Sequence, residues 1–233
     1  MNRIKKIINL ILDFYQTLLI SCINKNKKFS YIYKSKYWKG SGDGSLSGAG
    51  SNENTTQKIK HELQNFFNQK KIQSILDIPC GDWKWMSTMD FQHLNYIGCD
   101  VVKEMIEDNS KLYARDNVKF MVKSLIDDDL PKADIIIVRD LLVHLDTSDI
   151  LKCLENIKRN NFEYIAITNY PTLKSQHKDK LLGDKWRPIN LSMEPFNLID
   201  PDYNLDDTSM IQDHDKEKYL SVWLNKKFIR RNS

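Results

Sequence analysis

The chain is poor in glycine and has no glycine-rich turn that could hold a pyrophosphate. It contains eight glycines among 233 residues, and half of them lie between positions 40 and 48. Gly81 follows the apolar stretch Ser74–Ile78, while Pro79 and Trp83 stand where a Gly-x-Gly-x-x-Gly turn needs glycines. Because those glycines let the backbone approach a dinucleotide, their absence argues against a nicotinamide-dependent oxidoreductase.

Cysteine and histidine are also scarce, and neither shows the spacing of a ligand set. The five histidines and four cysteines do not form the clustered pairs that bind zinc, so we expect no metal site. No Gly-x-Ser-x-Gly motif stands between a strand and a helix, which argues against a serine nucleophile. We interpret the cysteines as reduced thiols of a cytoplasmic protein; they are Cys22, Cys80, Cys99 and Cys153.

The chain lacks an apolar run long enough for a confident membrane span. Met1–Ile23 is mostly apolar, but residues such as Asn9 and Asp13 interrupt it, and no small-residue cleavage site follows. We interpret residues 1–30 as a basic amphipathic helix. This helix either packs on protein or makes a peripheral contact, through residues 1–28, with the anionic inner face of a membrane.

Positive charge is concentrated at the N-terminal end. Residues 1–40 carry nine basic side chains and one acidic one, whereas the whole chain has a net charge of only +4. The rest of the chain is therefore acidic on balance, which argues against a nucleic-acid partner. A small molecule or a glycan precursor fits this balance better, and the sequence makes no prediction of the oligomeric state.

After residue 55, short segments rich in isoleucine and valine alternate with helical patterns, and the chain ends on an apolar strand. This alternation predicts an α/β fold, a Rossmann-like, doubly wound and mostly parallel sheet with an antiparallel C-terminal strand. Residues 55–233 form this domain, and residues 31–54 form a Gly/Ser-rich loop that covers its ligand. We expect strands at Ile72–Ile78, Tyr96–Cys99, Val118–Val122, Asp134–Val138, Tyr164–Thr168 and Tyr219–Leu224, helices at 55–70, Trp83–Met89, Lys103–Arg115 and Ser148–Asn160, and an acidic loop at Asp200–Asp207.

The first strand and its turn are followed by an acidic residue at the end of the second strand. Asp100 lies 23 residues after Asp77, and ligands of open α/β sheets bind where such strands end. A carboxylate at this place suits the two hydroxyls of a ribose. Asp100 could equally cap the helix that follows, and the sequence leaves both interpretations open.

Four further motifs accompany the turn Asp77-Ile-Pro-Cys-Gly-Asp82, which resembles the first motif of class I S-adenosylmethionine-dependent methyltransferases. Together they resemble one bacterial subfamily of these enzymes over about residues 37–225. Its members often accompany surface-polysaccharide biosynthesis. The motifs are Gly40-Ser-Gly-Asp-Gly-Ser45, Cys80-Gly-Asp-Trp-Lys-Trp-Met86, Arg139-Asp-Leu-Leu-Val-His-Leu145 and Gly183-Asp-Lys-Trp-Arg-Pro-Ile-Asn-Leu191.

The resemblance implies that S-adenosylmethionine is the cofactor and that it binds along the turn. Asp77 and Gly81 would line its methionine part, Asp100 would hold the ribose, and Ser124 with the Leu125 backbone would contact adenine. The full set of implied cofactor-binding residues is Asp77, Pro79, Cys80, Gly81, Asp82, Trp83, Asp100, Val101, Ser124, Leu125, Arg139, Gly42 and Ser45.

The Arg139–Leu145 segment follows the fourth strand, where this fold meets its methyl acceptor. Asp140 and His144 are four residues apart, so on a helix they would share one face. We assign His144 as the general base for a hydroxyl acceptor, with Asp140 orienting it or the substrate. The alternatives are that Asp140 caps a helix, that His144 is structural, and that Arg139 either binds an anionic group of the substrate or pairs with an acid.

The remaining motif residues are assigned to the acceptor. We expect O-methylation of a sugar, a nucleotide-activated sugar or a related phosphorylated precursor of a bacterial surface glycan. N-methylation of an amine or phosphoramidate-like group is a second interpretation, and a non-catalytic scaffold that binds the cofactor is a third. The substrate-binding candidates are Asn169, Tyr170, Trp186, Arg187 and Asn190.

Overall fold

The structure is a computed structural model, and it describes residues 14–15, 20, 25–39, 44–179, 186–209 and 217–228. Five helices and seven strands are described in this part of the chain. The helices are α1 (Lys25–Lys34), α2 (Glu53–Lys70), α3 (Lys103–Tyr113), α4 (Thr147–Lys158) and α5 (Asn225–Phe228). The strands are β1 (Ser74–Asp77), β2 (Asn95–Asp100), β3 (Val118–Val122), β4 (Ile135–Val138), β5 (Tyr164–Asn169), β6 (Tyr203–Asp206) and β7 (Tyr219–Leu224).

The seven strands form one sheet in the order β3-β2-β1-β4-β5-β7-β6. Strands β1 to β5 pair in parallel, and β7 pairs antiparallel with both β5 and β6. The chain order reverses beside β1, which is the switch point where open α/β sheets bind ligands. The predicted α/β architecture is thus confirmed, with one correction. Strand β6 forms inside the segment expected to be an acidic loop.

The central strands are short and almost wholly apolar because helices cover both faces of the sheet. All four residues of β4 and all six of β5 are buried. Alternate residues of β4 enter two different cores: Ile135 packs in the cluster that includes Leu63 of α2, and Ile136 in the one that includes Leu154 of α4. The parallel register therefore brings the ends of β1, β2 and β4 to one edge between two helical layers.

Single 3₁₀ turns form in place of the predicted helix Trp83–Met89 and in the segment where a helix would have put Asp140 and His144 on one face. In place of the helix Trp83–Met89, a turn forms at Met86–Thr88, because Trp83 adopts a left-handed φ of 55° that a helix cannot contain. After β4, Asp140 has a φ of 57° and a turn spans Leu142–His144. Helix α4 begins only at Thr147, so Asp140 does not cap it.

Helix α1 of the N-terminal segment packs on the domain. Tyr33 of α1 donates its hydroxyl hydrogen to Asp108 Oδ2 at 3.1 Å, and Lys34 Nζ lies 2.5 Å from Glu104 Oε1; both acids belong to α3. Burial and these acids raise the pKa of Tyr33 to about 12. Within the described ranges, no helix has the length and apolar character needed to cross a membrane.

Truncation of Leu63 to Ala tests the core beneath α2. Leu63 is fully buried, so the Leu63→Ala change should lower the free energy of unfolding by about 2–5 kcal/mol through lost transfer energy and a residual cavity. Urea unfolding followed by circular dichroism measures it. The matched control is Leu112→Ala on α3, where the side chain is 71% exposed. Equal effects of the two changes would contradict this core.

Candidate active site

A cavity of about 1180 Å³ opens where β1, β2 and β4 end. Its lining includes Asp77 at the end of β1, Asp100 at the end of β2 and Arg139 just after β4, together with residues of α1 and of the segment 46–51. Single ligand sites usually measure roughly 300–1,000 Å³. The cavity therefore has room for a nucleoside cofactor and for a second molecule beside it.

The turn after β1 is held by its neighbours on the sheet edge. Cys80 N–H donates to the Cys99 carbonyl at 2.8 Å, and Gly81 has a φ of 58°. Asn109, buried in α3, donates its amide to the Gly81 carbonyl at 2.7 Å. These bonds fix Pro79, Cys80 and Gly81 in the cavity wall.

Asp100 is a buried carboxyl in the same wall. It accepts the Gly81 N–H at 3.3 Å on Oδ2 and the Val102 N–H at 3.0 Å on Oδ1. Burial raises its pKa to about 6, although these N–H groups oppose the shift. The two carboxylate oxygens have four acceptor positions in all, so Asp100 can still accept a hydrogen bond from a ribose hydroxyl. The ribose and helix-start interpretations of Asp100 are therefore compatible.

Asp77 is the second buried carboxyl of the cavity, and only 3% of it is exposed. The Tyr96 hydroxyl donates to its Oδ2 at 2.5 Å. Burial raises the pKa of Asp77 to about 7, against the lowering effects of Tyr96 and Arg139. Among the described residues no basic side chain forms an ion pair with Asp77. A cationic ligand placed here would supply the missing positive charge.

A loop of residues 44–51, which we call the covering loop, is bonded to the turn. Asp82 Oδ2 accepts the Ser45 hydroxyl at 2.8 Å and the Leu46 N–H at 2.7 Å, and Asp82 N–H donates to Ser47 Oγ at 2.7 Å. A Cβ on Gly81 would lie 2.4 Å from Ser47 Oγ. Gly81 thus admits the covering loop as well as any ligand.

These contacts correct the expected roles of three residues. Asp82 and Ser45 bond each other instead of lining the cavity, and Ser45 is 2% exposed. Trp83 is buried among the rings of Phe91, Tyr96, Tyr113 and Phe120, away from the cavity lining. Gly42 lies outside the described residues. The other cofactor candidates all line the cavity, namely Asp77, Pro79, Cys80, Gly81, Asp100, Val101, Ser124, Leu125 and Arg139.

Four charged side chains form a buried cluster at the end of β4. Arg139 donates to Asp207 through Nε at 2.9 Å and through a terminal nitrogen at 2.8 Å, and it also donates to the Gly50 carbonyl at 2.9 Å. Lys218 Nζ lies 2.7 Å from Asp140 Oδ2 and 3.1 Å from Asp207 Oδ2. Arg139 therefore pairs with acids of the domain, one of the two roles that the sequence left open.

The cluster determines the state of Asp140. Burial alone would raise the pKa of this carboxyl, but the charges of Lys218 and Arg139 hold its pKa well below the usual range. Its backbone N–H donates to Thr168 Oγ1 at 2.9 Å. Asp140 is thus an ionised group whose carboxylate is directed to Lys218, and the expected helix that would place it beside His144 does not form.

His144 lines the cavity from the end of the 3₁₀ turn Leu142–His144. Its ring lies against that of Trp38, with centroids 4.8 Å apart and planes inclined by 35°. Asp140 lines the same cavity. The two catalytic candidates therefore share a cavity, but not a helix face.

Of the five substrate candidates, only Trp186 lines the cavity. Tyr170 is buried and packs edge-on to the Trp186 ring. Asn169 bonds Ser221 and the Leu191 N–H, and Asn190 donates to the carbonyls of residues 171 and 173. Arg187 is 1% exposed and bonds Asp179 at 2.6 Å. The side-chain amides of Asn169 and Asn190, and most of the N–H groups of Arg187, are therefore hydrogen-bonded within the protein.

Three contributors to the site were missed from the sequence. Residues of α1 and Trp38 line the cavity, Lys218 and Asp207 complete the charge cluster, and Ser47 lies on the turn. The aromatic run from Tyr31 to Trp38 was a signal in the sequence, whereas single polar residues in the tail gave none. Among the described residues, no group of three or more potential ligand side chains could hold a metal ion.

Comparisons with known proteins agree with this geometry. Residues 75–160 match the family model described as a methyltransferase domain. This part of the chain, less than half of its length, is therefore similar to a methyltransferase domain. The matched range includes Asp77, Asp100 and His144 but ends before the substrate candidates. No curated protein sequence matches the chain.

Solved structures of low sequence identity are similar to parts of the chain. The methyltransferase domain of bacterial CtHen1 is 15% identical over 50% of this chain and 66% of its own, with a TM-score of 0.44. Human N-acetylserotonin methyltransferase with bound S-adenosylmethionine is 12% identical, over 63% of this chain but 39% of its own, with a TM-score of 0.42. Magnesium protoporphyrin IX methyltransferase from Synechocystis PCC 6803, with bound S-adenosylhomocysteine, is 14% identical over 64% and 70%, with a TM-score of 0.47.

These similarities cover only part of the chains and are weak. The chain spans about two thirds of the first structure's length and about two fifths of the second's. The identities are also low. Their substrates therefore say nothing about the methyl acceptor of this chain.

Substitution of Gly81 by Ala tests the docking of the covering loop. The left-handed backbone strains an Ala by about 1–2 kcal/mol, and its Cβ collides with Ser47. We expect the affinity for S-adenosylhomocysteine, measured by titration calorimetry, to fall about tenfold or more. The double change Gly81→Ala with Ser47→Gly removes the collision and should recover part of the loss. If the affinity of the double variant did not recover, the contact between Gly81 and the covering loop would not be the cause of the loss.

Substitution of Asp77 by Asn separates stability from binding. Folding raises the pKa of Asp77 from 3.8 to about 7, so between these values the folded chain holds a proton that the unfolded chain has released. Stability therefore falls as pH rises through this window, and the penalty is complete above pH 7. Asp77→Asn should raise the melting temperature at pH 8, raise it less at pH 5, and weaken S-adenosylhomocysteine binding. Exposed Asp116→Asn is the control, and a pH-independent gain would refute this assignment.

Proposed function

We propose that this chain transfers the methyl group of S-adenosylmethionine to a hydroxyl of a sugar, a nucleotide-activated sugar or a related phosphorylated precursor of a bacterial surface glycan. The observation that carries the proposal is the shared cavity: buried Asp77 and Asp100 lie in it together with His144. The methyltransferase-domain match supports the transfer, and the motif resemblance supports the class of acceptor.

The residues of the cavity fit the cofactor. Bound S-adenosylmethionine supplies a methyl group on a positively charged sulfur, which is already a good leaving group. Asp100 can still accept a hydrogen bond from the ribose, and Asp77 is a buried acid that a cationic group would keep ionised. Ser124 and Leu125 line the cavity after β3, where adenine would lie in this proposal. The covering loop excludes water from the Gly81 side.

His144 has the chemistry that a hydroxyl acceptor requires. A hydroxyl must lose its proton as it attacks, and a positioned imidazole that accepts this proton accelerates the reaction by roughly 10²–10⁴-fold. The proton then passes from the imidazolium to solvent at the cavity mouth. Alignment of acceptor and methyl group contributes separately. Asp140 and Arg139 hold the wall beside His144 through the charge cluster and do not take part in proton transfer.

The aromatic lining supports an acceptor that contains a ring. Trp38 and Trp186 line the cavity, and an indole face suits the apolar face of a sugar. The basic residues of the N-terminal segment support a peripheral contact of residues 1–28 with the inner face of the membrane. In this arrangement the residues before α1 bind the surface, the covering loop lies over the cofactor, and residues 55–233 carry out the transfer.

Two substitutions and a panel of acceptors test the function. Asp100→Ala should weaken S-adenosylhomocysteine binding by about 2–3 kcal/mol through lost charge-assisted hydrogen bonds. His144→Asn should leave that binding unchanged and lower turnover by about 10²–10⁴-fold. Methyl transfer is measured by mass spectrometry with uridine- and thymidine-diphosphate hexoses as acceptors. His93→Asn, an exposed histidine outside the cavity, is the matched control.

The outcomes separate the candidate activities. Turnover that survives His144→Asn would contradict base catalysis and favour an amine acceptor, which attacks without a base. Cofactor binding without turnover of any hexose would refute the proposed acceptor class. Tight binding of a nicotinamide dinucleotide with no binding of S-adenosylhomocysteine would refute the cofactor assignment itself.

A further inference from the structure

A wall of the cavity comes from outside the matched methyltransferase domain. Residues 28, 29, 32, 33, 37 and 38 all line it, although the match begins at residue 75. Ile32 is 1% exposed, and Tyr33 and Lys34 bond α3. Helix α1 and the turn to Trp38 are therefore packed onto the domain as part of the site.

Trp38 lies between three groups of different origin. Its ring centroid lies 6.1 Å from that of Phe29 in α1 and 4.8 Å from that of His144. On the covering loop, a Cβ added to Gly48 would lie 3.9 Å from Trp38 atoms. The indole thus packs between Phe29 of α1 and the imidazole, with Gly48 of the covering loop nearby.

Trp186 lies in a segment that is hydrogen-bonded to the turn carrying His144. Arg187 N–H donates to the Val143 carbonyl at 2.8 Å, which places residues 186–187 beside the 3₁₀ turn that carries His144. Trp186 lines the cavity from there. An acceptor that reaches His144 is therefore bounded by two indole rings.

We infer that Trp38 is a positioning residue that holds the His144 ring for proton transfer, and that residues 28–38 form the acceptor-binding wall for a substrate with a sugar ring. The inference rests on the proposed function. An imidazole at the end of a single 3₁₀ turn rotates about two side-chain bonds, and a base must be held within about 0.5 Å of its working position. Ring packing against Trp38, with centroids 4.8 Å apart, restricts this rotation.

A double-mutant cycle tests the coupling. Trp38→Leu should lower kcat by about 10–100-fold, leave the Kd for S-adenosylhomocysteine unchanged, and have no further effect when His144 is already Asn. Trp38→Phe keeps an aromatic face and should recover most of the activity. Tyr31→Leu, an α1 ring that does not line the cavity, is the matched control and should behave as the unmodified chain. The acceptor is the diphosphate hexose that the panel identifies.

A spectroscopic measurement tests the contact without any acceptor. In the chain saturated with S-adenosylhomocysteine, the indole ring current should shift the His144 ring-proton resonances upfield, and Trp38→Leu should move them back. Unmoved resonances, or an effect of Trp38→Leu that adds to that of His144→Asn, would overturn the inference and leave the proposed function intact. Full turnover in His144→Asn would instead overturn the proposed function.

Discussion

The pairing of Arg139 with Asp207 is the interaction on which the site depends. Both side chains are almost completely buried, with exposures of 5% and 0%, and two hydrogen bonds of 2.8–2.9 Å join them. Charges this deep destabilise a fold unless each is neutralised and fully hydrogen-bonded. Here the Gly50 carbonyl and Lys218 complete the set. Consequently the covering loop, the end of β4 and the ends of β6 and β7 that carry Asp207 and Lys218 depend on one another.

This pairing explains why the acidic residues of the cavity have different roles. Asp140 is held as an anion by two cations, so it stabilises the wall and is not free to tune the base. In the part of the chain that the structure describes, neither Asp77 nor Asp100 forms an ion pair, and burial raises the pKa of both. The half of the cavity around Asp140 thus has its charges balanced by side chains of the protein. The half around Asp77 and Asp100 keeps acidic groups whose charge a cationic nucleoside can balance. His144 lies at the border between the two halves, where its ring packs against Trp38.

The sequence predicted the parts of the molecule that depend on local pattern. The alternation of strands and helices, and the placement of Asp77 and Asp100 at strand ends, follow from periodicity and topology alone. Side-chain direction does not. The motif predicted that Arg187 binds substrate, but its side chain points inward and bonds Asp179. The pattern predicted that Trp83 lies in a helix, but its left-handed backbone places the ring in an aromatic core. Such outcomes depend on the hydrogen-bonding needs of groups far apart in the chain.

The distances along the chain that the charge cluster bridges bear on how the protein folds. Arg139 bonds a residue 68 positions after it and another 89 positions before it. Closing such long loops is entropically costly, and the cluster forms only where these distant parts of the chain have come together. A partly folded chain can therefore hold a complete β1 turn and still have no enclosed binding cavity. Cofactor would then recognise the finished protein alone and, by mass action, protect it from unfolding.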